Sequence, residues 1–248
     1  MIKLFHKHID KSDIHIYGKD LVNDTIKAGY NIGDLLNIPS LSGFWDALPH
    51  NSQEELERMY MVGNAYVDSI LYYYIELRPH DEIIPYLYRV QGATDKFIQN
   101  SSVAKELVRV VDSNDVLCVH IRSGDKEVER SFLDLIVEMS REFNFVYIFS
   151  GLHLDERFAT HDQKKENFMN SMNYLFEHCF NVTLILAEPD IHISLMKKAK
   201  HLLLHKGGFS AIGFIVCEGT LYTTKYLDTL TDIWFSNVNK KHIHLECI

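Results

Sequence analysis

Two short stretches of this chain carry side chains whose types and order suit phosphate chemistry. The first is VLCVHIRSGD, residues 116–125, an apolar run that ends in His120 and Arg122 and continues into Ser123, Gly124 and Asp125. A guanidinium just past a strand presents a planar donor fork matched to two phosphate oxygens. A glycine two residues further on lets backbone amides close around an anion. The plainer reading of the same residues is a surface arginine at a strand end, paired with Asp125. The second stretch is HLLLHKGGFSAIG, residues 201–213. Here a buried strand feeds Gly207 and Gly208 and then a helix start, which sets free amides and the positive end of a helix dipole against phosphate. Lys206 offers a charge and Ser210 a hydroxyl. It is neither a GxGxxG nor a Walker sequence, and a tight strand-to-helix turn would read the same way.

A third stretch, EPDIHISLMKKAKH at 188–201, adds a carboxylate. Pro189 suits a helix start and Asp190 an N-cap. A carboxylate beside a phosphate loop also suits guanine, whose N1 and N2 both donate.

The elements that must hold these residues follow from periodicity. After Asp112 the pattern alternates: strands at DVLCVHI, FVYIFS, NVTLILA and HLLLH, with TLYTT as a fifth, and helices at SFLDLIVEMSREF, ENFMNSMNYLFEHC, DIHISLMKKA and GFSAIGFIVCEG. Such alternation predicts βαβ units and a parallel sheet covered on both faces. Ligands of these sheets sit beyond the carboxyl ends of the strands. His120–Asp125, Ser150 with Gly151, Glu188–Asp190 and Lys206–Ser210 all fall at those ends, so four loops are expected to share one rim. The first half is different in kind. It offers a short strand at IHIY (14–17), a capping box at Ser52 and Glu55 before a helical run, a glycine loop GYNIGDLLN containing Asp34, and a tyrosine cluster at 72, 73, 74, 86 and 88. The expected organisation is a short, largely helical lobe over 1–111 and a Rossmann-like lobe over 112–248.

Composition narrows the function classes. A chain of 248 residues can bury a full core. Its formal net charge of −9 argues against a general nucleic-acid or anionic-membrane surface, so phosphate binding has to be local. The N-terminus, MIKLFHKHIDKSD, is too charged for a signal peptide, and no apolar run approaches the roughly 18 residues of a membrane span. The four cysteines form no CxxC pair, which fits a reducing compartment and a cytoplasmic protein. The 14 histidines are scattered apart from His6/His8 and His242/His244, with no HExxH or Cys/His cluster, so no metal site is expected.

HIRSGD resembles the H-x-R strand-end motif of the α1,6-, α1,2- and protein O-fucosyltransferases. The run from Asp190 through Ala199 to GFSA resembles that superfamily's companion motif. The two motifs occur in the same order, and the similarity spans roughly 113–224. Gly208 stands where relatives place Ser or Thr. The resemblance implies a GT-B-like fold and a metal-independent, inverting glycosyltransferase without cofactor, which takes fucose from GDP-fucose to a glycan acceptor. It implies that Arg122 binds the β-phosphate and stabilises departing GDP, with His120 supporting the strand end. Asp190 would contact guanine, and Gly207, Gly208, Phe209 and Ser210 would hold the diphosphate. Ser123, Gly124, Ser150, Gly151 and Lys206 complete the candidate binding set. Asp125, Glu127 and Asp34 are candidate bases for the acceptor hydroxyl. Two alternatives stay open: a GT-B transferase with a xylose, mannose or rhamnose donor (or a pyruvyl-type transferase, from NIGD), and a non-catalytic nucleotide- or sugar-binding protein.

Overall fold

The computed structural model describes residues 2–9, 16–17, 91–123, 127–150, 152–153, 160–187, 189–224 and 242–245. The helical run after Ser52, the Asp34 loop and the tyrosine cluster at 72–88 lie outside the described residues.

The described elements, in chain order, begin with strands β1 (Lys3–Phe5) and β2 (Ile16–Tyr17), then a helical stretch over 91–100 and helix α1 (Ser102–Val111). There follow β3 (Val116–His120), α2 (Arg130–Met139) with a 3₁₀ turn at Ser140–Glu142, β4 (Phe145–Phe149), β5 (Leu152–His153) and α3 (His161–His178). The chain continues through β6 (Val182–Leu186), α4 (Pro189–Lys198), β7 (His201–Leu204), α5 (Gly208–Val216), β8 (Thr220–Thr224) and β9 (His242–Leu245). Seven strands form one sheet in the order β1-β6-β4-β3-β7-β8-β9. All neighbours are parallel except β1, which pairs antiparallel with β6 at the edge. Counted from β3, the six parallel strands run 3-2-1-4-5-6, the doubly wound order. The order reverses between β3 and β7.

Burial explains why these runs are strands. β3 and β6 are buried along their whole length, as a sheet covered on both faces requires. Alternate residues go to opposite faces. Val116 and Cys118 of β3 meet one core with Leu202, Leu204, α1, α4 and α5, while Leu117 and Val119 meet the other with Leu203, α2 and α3. Cys118, Cys179 and Cys217 are buried free thiols that act as small hydrophobes. α5 is apolar apart from Ser210 and packs tightly: a β-carbon on Gly213 would come within 2.6 Å of Met196 Sδ. The chain on both sides of residue 112 contributes to this unit, since β1 joins the sheet and Ala104 and Val111 join the first core.

Several boundaries differ from the sequence expectation, each for a local reason. α3 starts at His161 rather than Glu166, because Thr160 and Gln163 form a reciprocal capping box ahead of the first apolar residue that packs inward, Phe168. Asp190 is not the N-cap of α4. Pro189 is already helical, its fixed φ suiting the first position, so Asp190 sits inside the first turn and complements the helix dipole there. β1 and β9 are edge strands of three and four residues, too short for a periodicity to show. The expected IHIY strand is present at Ile16–Tyr17, and it pairs parallel with β5 just beyond the end of β4. Among the described residues, no helix is long and apolar enough to cross a membrane.

Candidate functional site

The switch point lies between the carboxyl ends of β3 and β7, where the crossover connections diverge and where sheets of this order take their ligands. His120 pairs with Leu204 in the sheet register, so the loops after both residues leave the sheet side by side. One loop carries Arg122 and the other Gly207.

Arg122 and Gly207 are fitted to each other. Gly207 is the N-cap of α5 with φ 92° and ψ 171°, a conformation that L side chains rarely adopt, and it makes no side-chain cap. A β-carbon there would come within 2.7 Å of Arg122 Nη1 and 3.0 Å of its Cδ. The bare glycine therefore lets an exposed guanidinium lie against the amino end of α5. The first-turn amides of a helix lack intrahelical partners and carry its positive partial charge. Cation and amides together form a place for an anion.

Three sets of internal bonds hold this pair in position. His120 Nδ1 lies 2.7 Å from Ser210 Oγ, joining the end of β3 to the first turn of α5. The Phe209 ring is 5.1 Å from the His120 ring, and Ser210 Oγ also donates to Lys206 O at 3.2 Å. On the other side, Ser150 Oγ donates to Ile121 O at 2.7 Å. With that single proton committed, Ser123 Oγ is the donor in its 3.0 Å bond to Ser150 Oγ. The third set is centred on Glu129, whose Oε2 is 2.8 Å from His205 Nε2 and whose Oε1 bonds Lys206 Nζ.

The electrostatics of that cluster are strongly biased. Burial alone would raise Glu129, but bonds from Lys206, its own backbone and His205 bring its carboxyl down to about 2. Burial lowers His205 to about 4, against the opposing pull of Glu129. At neutral pH Glu129 is thus a carboxylate and His205 a neutral imidazole. His192 is likewise lowered to about 4 by burial, bonds Ile185 O at 3.0 Å and stacks on Phe149.

The candidate residues therefore fall into three groups. Arg122, Gly207 and the first turn of α5 are together at the switch point. His120, Ser123, Ser150 and Ser210 are buried and bonded to one another, so they brace the rim from inside, and Lys206 is engaged by Glu129. Asp190 lies in the first turn of α4, beyond β6 on the same rim, and Glu127 is exposed in the loop after β3. Asp34, Gly124, Asp125 and Gly151 lie outside the described residues. Sequence reading missed Glu129 and His205. His205 had a signal, since LLLH ends in histidine as LCVH does on the adjacent strand. Glu129 had none to distinguish it from Glu127. Among the described residues, no group of three or more His, Cys, Asp and Glu side chains is arranged to hold a metal ion.

Comparisons with protein-family models, curated proteins and solved structures return no match to this chain.

Proposed function

We propose that this protein is a glycosyltransferase that moves fucose from GDP-fucose to a glycan acceptor by a metal-independent, inverting displacement. The observation that supports it is the exposed Arg122 guanidinium lying against the uncapped amino end of α5, at the switch point of a doubly wound sheet. In this reading the acceptor hydroxyl attacks the anomeric carbon from the face opposite the diphosphate. The C–O bond to the β-phosphate breaks and GDP leaves with the bonding pair. Arg122 and the first-turn amides of α5 neutralise the charge that develops on the leaving oxygens, the step at which preorganised donors matter most. Asp190, on the same rim, receives the guanine, and Asp125, Glu127 or Asp34 takes the acceptor proton. A GT-B arrangement, with the chain's first part on the acceptor side and the enzyme working in the cytoplasm, belongs to the same reading.

The test is calorimetric titration with GDP, joined to a nucleotide-sugar panel with product detection. Arg122→Ala is expected to lower GDP affinity by about tenfold or more, the value of a lost charge-assisted hydrogen bond, and to abolish transfer. Unchanged GDP affinity in that variant would overturn the assignment. Preferential binding of UDP or dTDP would redirect the donor, and nucleotide binding with no turnover of any donor would favour the non-catalytic alternative.

A further inference from the structure

Glu129 has no part in the proposed transfer, yet it reaches from the start of α2 to the loop that carries Gly207. It is the N-cap residue of α2, but its side chain makes no capping bond to that helix. Its two oxygens instead engage His205 and Lys206, the two residues before Gly207. His205 is a buried link in its own right. Its ring stacks on Phe132 at 4.3 Å and 24°, and its amide donates to His120 O at 3.1 Å. One carboxylate thus ties the β7–α5 loop to the β3–α2 loop from which Arg122 projects.

We propose that Glu129 is a positioning residue that clamps the two loops of the switch point and fixes the seat of the Arg122 guanidinium on Gly207. Its part in nucleotide binding rests on the function proposed above. Lys206 is, in this view, a strut whose charge is matched by Glu129, and not a direct phosphate ligand. Breaking the clamp frees the β7–α5 loop and lets Gly207 drift from Arg122, although neither of those residues has changed.

Residue-resolved amide exchange on the full chain, without nucleotide, reads the clamp directly. In Glu129→Gln the His205 amide, bonded to the end of β3, is expected to exchange about tenfold faster or more, while amides of β4 and β6 keep their rates. Lys206→Met should give the same local increase. GDP affinity should fall in both variants, with a double variant no worse than the weaker single one, because both act through one carboxylate. Unchanged His205 exchange in Glu129→Gln overturns the proposal. So does an additive loss of GDP affinity in the double variant, which is how a lysine that binds phosphate directly would behave. Should Glu129→Gln lack a cooperative unfolding transition, the His205 exchange rate in Lys206→Met decides in its place. A wild-type chain that binds no GDP retires the nucleotide reading alone, and the exchange rates still decide the clamp.

Discussion

Around the carboxyl ends of β3, β4, β6 and β7 a set of polar side chains is buried and held by internal bonds, whereas Lys200 and Asp112, at the amino ends, are paired in partial exposure to water. His120, Ser123, Ser150, His192, His205 and Ser210 belong to the first set, each nearly or fully buried. Lys200 and Asp112, before β7 and β3, belong to the second: their ion pair is 2.8 Å long with both side chains about half exposed. Burying polar groups is costly unless every one is bonded, and a fully bonded buried network is rigid in return. An exposed ion pair gains little, because water and salt screen it. The sheet has therefore placed its costly polar order at one end, around Arg122 and Gly207, where a fixed anion seat would need it. At the other end the Lys200–Asp112 pair can be lost cheaply, unlike the buried Lys197 that Asp95 and Glu218 hold there.

Acid should break this asymmetry most strongly. His192 and His205 titrate near 6.5 when unfolded but at about 4 when folded, so below pH 6.5 the unfolded chain takes up protons that the folded chain refuses. Their contribution is intact above pH 6.5 and is lost as pH falls toward 4, on the order of 1 kcal/mol per pH unit for each. Glu129 acts in the same direction lower down, as pH falls from 4.5 to about 2. Chemical denaturation at pH 7, 5.5 and 4.5 should show this loss, with amides at the carboxyl ends of β6 and β7 losing exchange protection first.

Gly207→Ala should be the next largest effect. The residue must keep a positive φ, at a strain cost of about 2 kcal/mol, and its methyl must displace Arg122. Urea denaturation should show that loss of stability, and GDP titration a loss of affinity larger than the stability change alone explains. The smallest contrast sets the two ends directly against each other. Ser210→Ala leaves buried His120 Nδ1 without its 2.7 Å partner and should cost about 1–3 kcal/mol. Lys200→Met, at the exposed end, should leave the melting temperature unchanged within error. Equal effects from those two substitutions would remove the distinction between the ends.

Much of this could be read locally. Residues 116–119 are apolar at every position, and that pattern belongs to a strand covered on both faces, so the placement of His120 and Arg122 at its carboxyl end followed from the sequence. The same holds for Lys206–Ser210 after HLLLH, because a glycine pair between a buried strand and an apolar run has few other uses. The start of α3 is marked in the Thr160–Gln163 spacing, but the polar first turns of that helix carry no apolar stripe, so periodicity places its start later. Asp190 was one position out because Pro and Asp both favour helix starts, and only the backbone shows which residue is first.

The sequence by itself determined the alternation of strands and helices, which residues stand at strand ends, and the kind of charge those ends can offer. Periodicity, burial and turn chemistry act over a few residues, and they leave their mark on a few residues. Only the tertiary structure decided that β3 lies between β4 and β7, and hence that His120 meets Ser210, 90 positions away, and Glu129 meets Lys206, 77 positions away. Strand order is set by the packing of whole faces and the crossover between them. No local pattern records it, and the pairing of Arg122 with Gly207 and the clamp at Glu129 became visible only once the sheet was assembled.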